Sequence, residues 1–353
     1  METKWTENRK MSAFQNNSTI ANITTSARLP HRSTQIEEVV KMVTFWIIII
    51  VGVIGNSLVI TVVKMFRSMR TTTNYLLVNV AAADITTLLF TAILYLIMTI
   101  NSPIPSGALL SFLCKFIYTN TISIVTLLVT ALTLTLLAFE RYHALVKPLI
   151  ASRRVTTDNI AYFITGIWLI AITLVTPLFA TLDYDSDKHH CSHGDANYEM
   201  MIYIDCLIVI LTLVPFTVIA FCYSQIIYGM YFNNTICGSK SERGDTRKET
   251  KEKRRLVTLL ILLTVVFFVA FIPYGILLIL KVSKVNHRYV FLQYASQYLT
   301  LLNCSVNPLI YTFQSSSYRR AFKVIMKKML CRDATYELSE LIEMRTRTSV
   351  RSV

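Results

Sequence analysis

Seven runs of predominantly apolar residues, each about 20 long or more, dominate this chain. Each is long enough to cross a hydrocarbon layer roughly 30 Å thick as a helix. They fall near residues 39–64, 75–100, 112–142, 159–181, 200–231, 254–281 and 289–313. A segment immersed in lipid has no water to satisfy its peptide groups, so helices are the expected conformation. The expected fold class is therefore an all-α membrane protein, a bundle of seven transmembrane helices. Composition agrees, with 53% hydrophobic and only 16% charged residues, where soluble domains carry about 25% charged. The stretch from Met1 to Val40 lacks the compact apolar core of a cleaved leader, so the first run is expected to direct insertion and to stay in the mature protein.

An odd number of crossings puts the two ends on opposite faces. Of the 35 Lys and Arg residues, 24 fall on the side of the C-terminus, 10 on the side of the N-terminus, and Lys115 lies in the third run. The side richer in positive charge is expected to be cytoplasmic, which leaves the N-terminus outside. That tail holds glycosylation triplets beginning at Asn16, Asn17 and Asn22. The expected division is an extracellular tail over 1–38, the bundle over 39–313, an amphipathic helix over 314–331 and a cytoplasmic tail over 332–353. A net charge of +14 fits this topology better than nucleic-acid binding, because the basic residues sit between and after the apolar runs. From Ser315 to Lys328 apolar and basic residues alternate at helical spacing, the pattern of an eighth helix lying on the inner leaflet. Cys331 at its end suits S-palmitoylation, with an unmodified thiol as the alternative.

A carboxylate at mid-bilayer costs at least about 2.5 kcal/mol on insertion scales, so Asp84 needs partners. Asn56, Asn303 and Asn307 lie at matching depths, and the four are expected to form a buried polar cluster satisfied by one another, by water or by a cation such as sodium. A purely structural hydrogen-bond network is the alternative. Glu140-Arg141-Tyr142 closes the third run, where a guanidinium beside a carboxylate forms an ion pair that can be released. Pro177, Pro215, Pro273 and Pro308 each remove a helical hydrogen bond and are expected to kink their spans. Cys206, Cys222 and Cys304 lie inside apolar runs and read as small buried hydrophobes.

In order along the chain, Gly55-Asn56, Asn79 with Asp84, Glu140-Arg141-Tyr142 with Pro148, Trp168, Pro215 with Tyr223, Phe267 with Pro273, and Asn307-Pro308-Leu309-Ile310-Tyr311 make one set of motifs per span. In this the chain resembles the rhodopsin-like (class A) G-protein-coupled receptors over roughly residues 39–331, most closely their neuropeptide-receptor branch. The resemblance implies a sodium and water site of Asp84, Asn56, Thr130, Asn303 and Asn307. It implies that Glu140, Arg141, Tyr223, Phe267, Phe271, Pro273 and Tyr311 rearrange as the sixth helix swings outward. A G protein would then enter the cytoplasmic cavity against Arg141, Pro148 and Leu149. It implies a disulfide between Cys114 and Cys191, and a reaction, nucleotide exchange on the partner, in which this chain performs no chemistry itself. Phosphorylation of Thr335, Ser339, Thr346, Thr348, Ser349 and Ser352 by receptor kinases would recruit arrestin, with an ordinary polar tail as the alternative.

Three departures matter. Cys114 precedes Arg141 by 27 residues instead of the family's usual 25, so a local bulge or a longer helix top is expected. Phe271 replaces the family's tryptophan before Pro273. Lys253 stands where many members carry an acid that pairs with the Arg141 equivalent. Ser123 at the amine-binding aspartate position and Leu301 at the retinal-lysine position exclude those ligand classes. The expected pocket is lined by Ser123, Leu127, Phe271, Tyr274, Leu278, Gln293 and Gln297. At its mouth Asp183, Asp185, Asp187, Asp195, Glu199 and Asp205 face Lys281, Lys284 and Arg288, a mixed rim suited to a peptide. The alternative is that these charges are merely solvated. His189, His190 and His193 read as a solvated loop ahead of a zinc or pH site.

Competing readings are a receptor for a small non-amine ligand, and a transporter or channel, against which the odd span number and missing inverted repeat argue. No metal-ligand motif, nucleophile elbow or paired intramembrane aspartates suggest an enzyme. With no acid at Lys253 to hold Arg141, ligand-free signalling is expected to exceed that of mock-transfected cells. A level no higher would contradict this, and would mean that the Glu140–Arg141 pair alone keeps the receptor quiet.

Overall fold

The computed structural model describes residues 32–100, 108–118, 121–146, 155–181, 183–185, 190–192, 197–231, 245–282 and 290–330. Asn16, Asn17, Asn22, Pro148, Leu149, Cys331 and most of both tails lie outside the described residues. Seven long helices follow in order: α1 (Arg32–Met65), α2 (Thr72–Ile100), α3 (Thr121–Leu145), α4 (Ile160–Thr181), α5 (Asn197–Tyr231), α6 (Asp245–Val282) and α7 (Val290–Gln314). The amphipathic α8 (Ser316–Leu330) completes the set. The all-α, seven-helix fold class holds, since the expected spans and these helices overlap throughout.

Several ends differ from the apolar runs. α1 begins at Arg32, inside the stretch assigned to the tail, because Lys41 bridges Glu37 at 2.8 Å and Glu38 at 3.0 Å, pairs one turn apart that support a helix outside lipid. α6 begins at Asp245, two turns before its apolar run. Ahead of α3 stand a short helix, Ala108–Leu113, and a π-helical segment, Cys114–Tyr118. A π turn takes an extra residue into the helix, so the π segment accounts for one of the two extra residues between Cys114 and Arg141. Between α4 and α5 the structure adds a small antiparallel hairpin, β1 (Asp183–Asp185) with β2 (His190–Ser192), setting Tyr184 opposite Cys191. Three-residue strands carry too little alternation to be read from sequence.

The chain divides into two compact units at Ile47/Ile48, within α1. The first contains the Lys41 ion pairs and the edge-on Phe45–Trp46 pair, 5.7 Å between rings. In the second, α3 packs against α2, α4 and α5, and α7 against α6, α2 and α8. Its outer surface is apolar: Leu169, Leu213, Phe221, Ile272 and Phe313 are exposed. Its interior holds Asn56, Asn79, Asp84, Thr130, Thr133, Asn303 and Asn307. Apolar outside and polar inside is the arrangement of a bundle solvated by lipid. Among the described residues, α1 to α6 each contain a stretch apolar enough to cross a membrane. α7 is more polar because its inward face carries Ser296, Asn303, Ser305 and Asn307, all buried. On α8, Tyr318, Ala321 and Ile325 are buried while Arg319, Arg320, Lys323 and Lys327 are exposed.

The Ile48–Met65 part of α1 and α7 approach closely where side chains are smallest. A Cβ on Gly52 would collide with the Ser305 hydroxyl and come within 2.6 Å of Leu88, and one on Gly55 would lie 2.9 Å from Pro308. Around Gly166, on α4, nothing lies within 4 Å. Gly52→Val is therefore expected to cost roughly 1–3 kcal/mol of overpacking, read as a lower melting temperature of detergent-purified protein. Gly166→Val should melt like the wild type; equal melting of Gly52→Val and wild type would contradict the packing.

A buried polar network and a sheltered ion pair

Threonine and asparagine side chains clasp α2, α3 and α4 together. Asn79 donates through Nδ2 to Thr133 Oγ1 at 2.8 Å and accepts from Trp168 Nε1 at 2.9 Å. Two turns outward the Thr87 and Thr126 hydroxyls meet at 2.6 Å. Threonine suits this place because a hydroxyl can bond its own helix as well as a neighbour. Thr87 bonds the Ala83 carbonyl and Thr133 the Val129 carbonyl.

At the centre, Asp84 is only 2% exposed. Asn307 Nδ2 donates to its Oδ2 at 2.8 Å, and the Cys304 thiol lies against the same carboxylate. Asn56 Nδ2 donates to the backbone carbonyls of Gly52 at 2.9 Å and Cys304 at 2.8 Å. Asn56 is fully buried, and its Oδ1 makes no hydrogen bond among the described residues. Ser305 Oγ donates to the Ile48 carbonyl at 3.0 Å, which ties α7 to α1 again. The structure thus joins Asp84, Asn307 and, through Cys304, Asn56. Thr130 and Asn303 are buried as well, but no hydrogen bond among the described residues links either one to Asp84.

Below this centre lie the residues expected to move. Arg141 Nε is 2.6 Å from Glu140 Oε2, and its Nη2 donates to Glu140 Oε1 at 3.2 Å. Both side chains are mostly buried, at 16% and 12% exposure, so the pair is sheltered from water and ions. The same Nη2 donates to Thr73 Oγ1 at the start of α2. Tyr223 is buried, with Thr264 and Arg141 in electrostatic reach of its hydroxyl. Tyr311 is fully buried, its hydroxyl makes no hydrogen bond among the described residues, and its ring stacks on Tyr318 of α8 at 5.4 Å and 30°. The Tyr318 hydroxyl donates to Asn74 Oδ1 at 3.3 Å. Burial pushes the Tyr318 phenol above its ordinary range, further from ionisation. Phe267, buried one turn before Phe271, packs on it at 4.8 Å and on Phe268 at 5.4 Å. Phe216, next to Pro215, continues the aromatic row to Phe268 at 4.8 Å.

Toward the end of the bundle away from Arg141, Ser123 and Leu127 on α3 and Phe271 on α6 are half-buried, whereas Gln297 on α7 is exposed. Tyr274, Leu278 and Gln293 occupy helical positions on α6 and α7, and their side chains lie outside the described residues. Cys114 is disulfide-bonded, and Cys222 and Cys304 are buried free thiols, whereas the free thiol Cys206, expected to be buried as well, is exposed on the lipid-solvated surface. Strand β1 packs against the π segment that begins at Cys114. Sequence reasoning missed Thr73, Asn74 and Tyr318 at the Arg141 end of the bundle, and it read Cys304 only as a small hydrophobe. Gly52, three residues before Gly55, was a visible small-residue signal for close helix approach; a polar pair opening α2 gave no sign of a partner on α3 or α8.

A family model described as 7 transmembrane receptor (rhodopsin family) matches residues 55–311. The chain is 28% identical over 315 residues to the galanin receptor type 1 of Rattus norvegicus, covering 85% of this chain and 86% of that one. It is 28% identical over 313 residues to the tachykinin-like peptides receptor 86C of Drosophila melanogaster, covering 82% and 59% respectively. To the substance-P receptor of Mus musculus it is 27% identical over 290 residues, covering 79% and 69%. With its seven helices, the buried Asp84–Asn307 bond and the Glu140–Arg141 pair in place, and the matched region spanning most of its length, the chain belongs to the 7 transmembrane receptor (rhodopsin) family.

Proposed function

We propose that this protein is a plasma-membrane receptor, with its N-terminus outside, that binds an extracellular peptide and activates a heterotrimeric G protein on the cytoplasmic side. The observation that carries the reading is the succession of buried polar groups from the bundle centre to the Arg141 end. The Asp84–Asn307 bond sits one turn from Tyr311 on the same helix, and Tyr311 and Arg141 stand at the cytoplasmic end, where a partner enters. A ligand that favours a different α6–α7 arrangement shifts this network, because it can move the equilibrium only by its differential affinity for the two states. Arg141, leaving Glu140 and Thr73, and Tyr223 and Tyr311, with spare hydrogen-bonding capacity, supply groups for the rearranged state. Pro148, Leu149 and the basic cytoplasmic segments extend the contact to the G protein and to acidic lipid.

Relatives named for galanin, tachykinin-like peptides and substance P support a peptide ligand, as do the acids and bases interspersed in the outer loops. The peptide would enter the pocket of Ser123, Leu127, Phe271, Tyr274, Leu278, Gln293 and Gln297. Cys191 is the partner we assign to Cys114; the contact of β1 with the π segment supports that pairing. Asn16, Asn17 and Asn22 are assigned as glycosylation sites and Cys331 as a lipid attachment site. Receptor kinases and arrestin act at the tail.

The family implies an allosteric sodium ion, and the cluster fits one. Asp84 is a buried carboxylate bonded only to neutral groups among the described residues, and Asn56 Oδ1 is a buried oxygen without a partner. Hard oxygens of this kind are what such a cation takes. Asp84, with Asn56, Thr130, Asn303 and Asn307 around it, would hold the ion, whose positive charge would compensate the carboxylate. Nucleotide exchange on purified G proteins tests both layers. A neuropeptide library should contain a ligand that raises exchange by wild-type receptor. Replacing sodium with potassium at constant ionic strength should raise ligand-free exchange in the wild type and leave Asp84→Asn unaffected. Ion transport into vesicles without any exchange would contradict the receptor reading, and an equal response of Asp84→Asn to sodium would contradict the site.

A further inference from the structure

Two neighbouring residues at the start of α2 hold the two cytoplasmic switch residues that belong to other helices. Thr73 is 3% exposed and accepts from the Arg141 guanidinium of α3. Asn74 accepts from Tyr318 of α8, and Tyr318 is stacked on Tyr311 of α7. The pair is itself anchored. Asn74 Nδ2 donates to the Met69 carbonyl at 2.8 Å, and its backbone N–H meets Thr71 Oγ1 at 3.3 Å. Met69 is buried among Phe66, Leu76 and Leu77 in the cytoplasmic half of the core. The 3-10 turn Arg67–Met69 that precedes it is closed by bonds from Met69 N to the Phe66 carbonyl and Arg70 N to the Arg67 carbonyl. A capped, core-packed turn is a rigid base, so groups bonded to it are held as well.

We propose that Thr73 and Asn74 form one tether that keeps Arg141 and Tyr311 in the resting arrangement, replacing the lock that an acid at Lys253 would have supplied. Arg141 is held directly and Tyr311 through its stack on Tyr318. Thr73 and Asn74 are positioning residues: they act on the groups that meet the G protein without meeting it themselves. Both bonds must open for the network to convert, so each contributes to the gap between resting and active states. The phenol of Tyr318 is the specific element. A phenylalanine there would still stack on Tyr311 but would leave Asn74 and α8 unconnected.

This tether rests on the proposed coupling to a G protein, and the test separates the two. Ligand-free and ligand-saturated nucleotide exchange, each normalised to surface receptor, are measured for Thr73→Val, Thr73→Ser and Tyr318→Phe, and for Asn74→Ala alone and combined with Tyr318→Phe. Thr73→Val and Tyr318→Phe should each raise ligand-free exchange about two- to tenfold, the scale of one lost hydrogen bond acting on a two-state equilibrium. Ligand-saturated exchange should stay at the wild-type level, Thr73→Ser should behave as wild type, and the combined Asn74→Ala/Tyr318→Phe variant should not exceed Asn74→Ala alone by more than error, since Asn74→Ala already removes the bond to Tyr318. Ligand-free exchange that is unchanged or lower in Thr73→Val and Tyr318→Phe would overturn the tether. Should wild type drive no exchange with any G protein, the proposed function fails, and amide hydrogen exchange reads the tether alone. Faster exchange across residues 311–325 in Tyr318→Phe upholds it, and unchanged protection overturns it.

Discussion

A carboxylate removed from water at the middle of a lipid-solvated bundle is the constraint around which the rest is arranged. Isolated, Asp84 would cost several kcal/mol, so a neighbouring helix must supply donors. Asn307 does so from α7 at 2.8 Å, and Cys304 lies against the carboxylate while its backbone carbonyl receives Asn56. The carboxylate therefore holds α2 to α7, and the Asn56 and Ser305 bonds hold α7 to α1 from Ile48 onward. Lipid gives little drive for helices to associate through apolar contact alone, which makes such polar bonds the specifying interactions.

Close backbone approach is the second requirement, since short side chains cannot reach across wide gaps. Gly52 and Gly55 let α1 come near enough for Asn56 and Ser305 to bond across to the facing backbone. On the other flank, Asn79 gathers Thr133 and Trp168 with both ends of its amide. The same logic continues to the far end of the bundle, where Arg141 and Tyr318 bond adjacent residues of α2. A polar interior built from few bonds per helix is easier to rearrange than an apolar one: exchanging partners costs little when new partners stand nearby, whereas leaving a buried group unpaired costs the full desolvation.

Much of this was legible in the sequence because lipid imposes simple rules. Runs of about 20 apolar residues gave seven helices, and alternating basic and apolar residues after Phe313 gave α8. The extra residues between Cys114 and Arg141 announced a bulge, which the π segment supplies. Asp84 and Asn307 stood out because polar groups in apolar runs need partners. What stayed hidden depended on three-dimensional proximity. Thr73 and Asn74 look like ordinary polar residues opening a helix, and nothing nearby in sequence points to Arg141 or Tyr318, which are 68 and 244 residues away. Cys304 was hidden by chemistry, since a thiol inside an apolar run reads as filler until a carboxylate is placed beside it. The extension of α1 to Arg32 was hidden because its support comes from the ion pairs of Lys41, not from hydropathy.

The central claim is that Asp84 and Asn307 act as one bonded pair whose two members can be exchanged but not separately removed. Ligand-stimulated nucleotide exchange should be measured for Asp84→Asn, for Asn307→Asp and for the two substitutions together, at matched surface levels. The first variant has two amides and no charge at the centre, the second has two facing carboxylates, and the combination restores one of each. The account predicts that both single variants lose most of the stimulated exchange and that the double variant recovers a substantial part of it. A double variant no better than the worse single one would contradict the pairing.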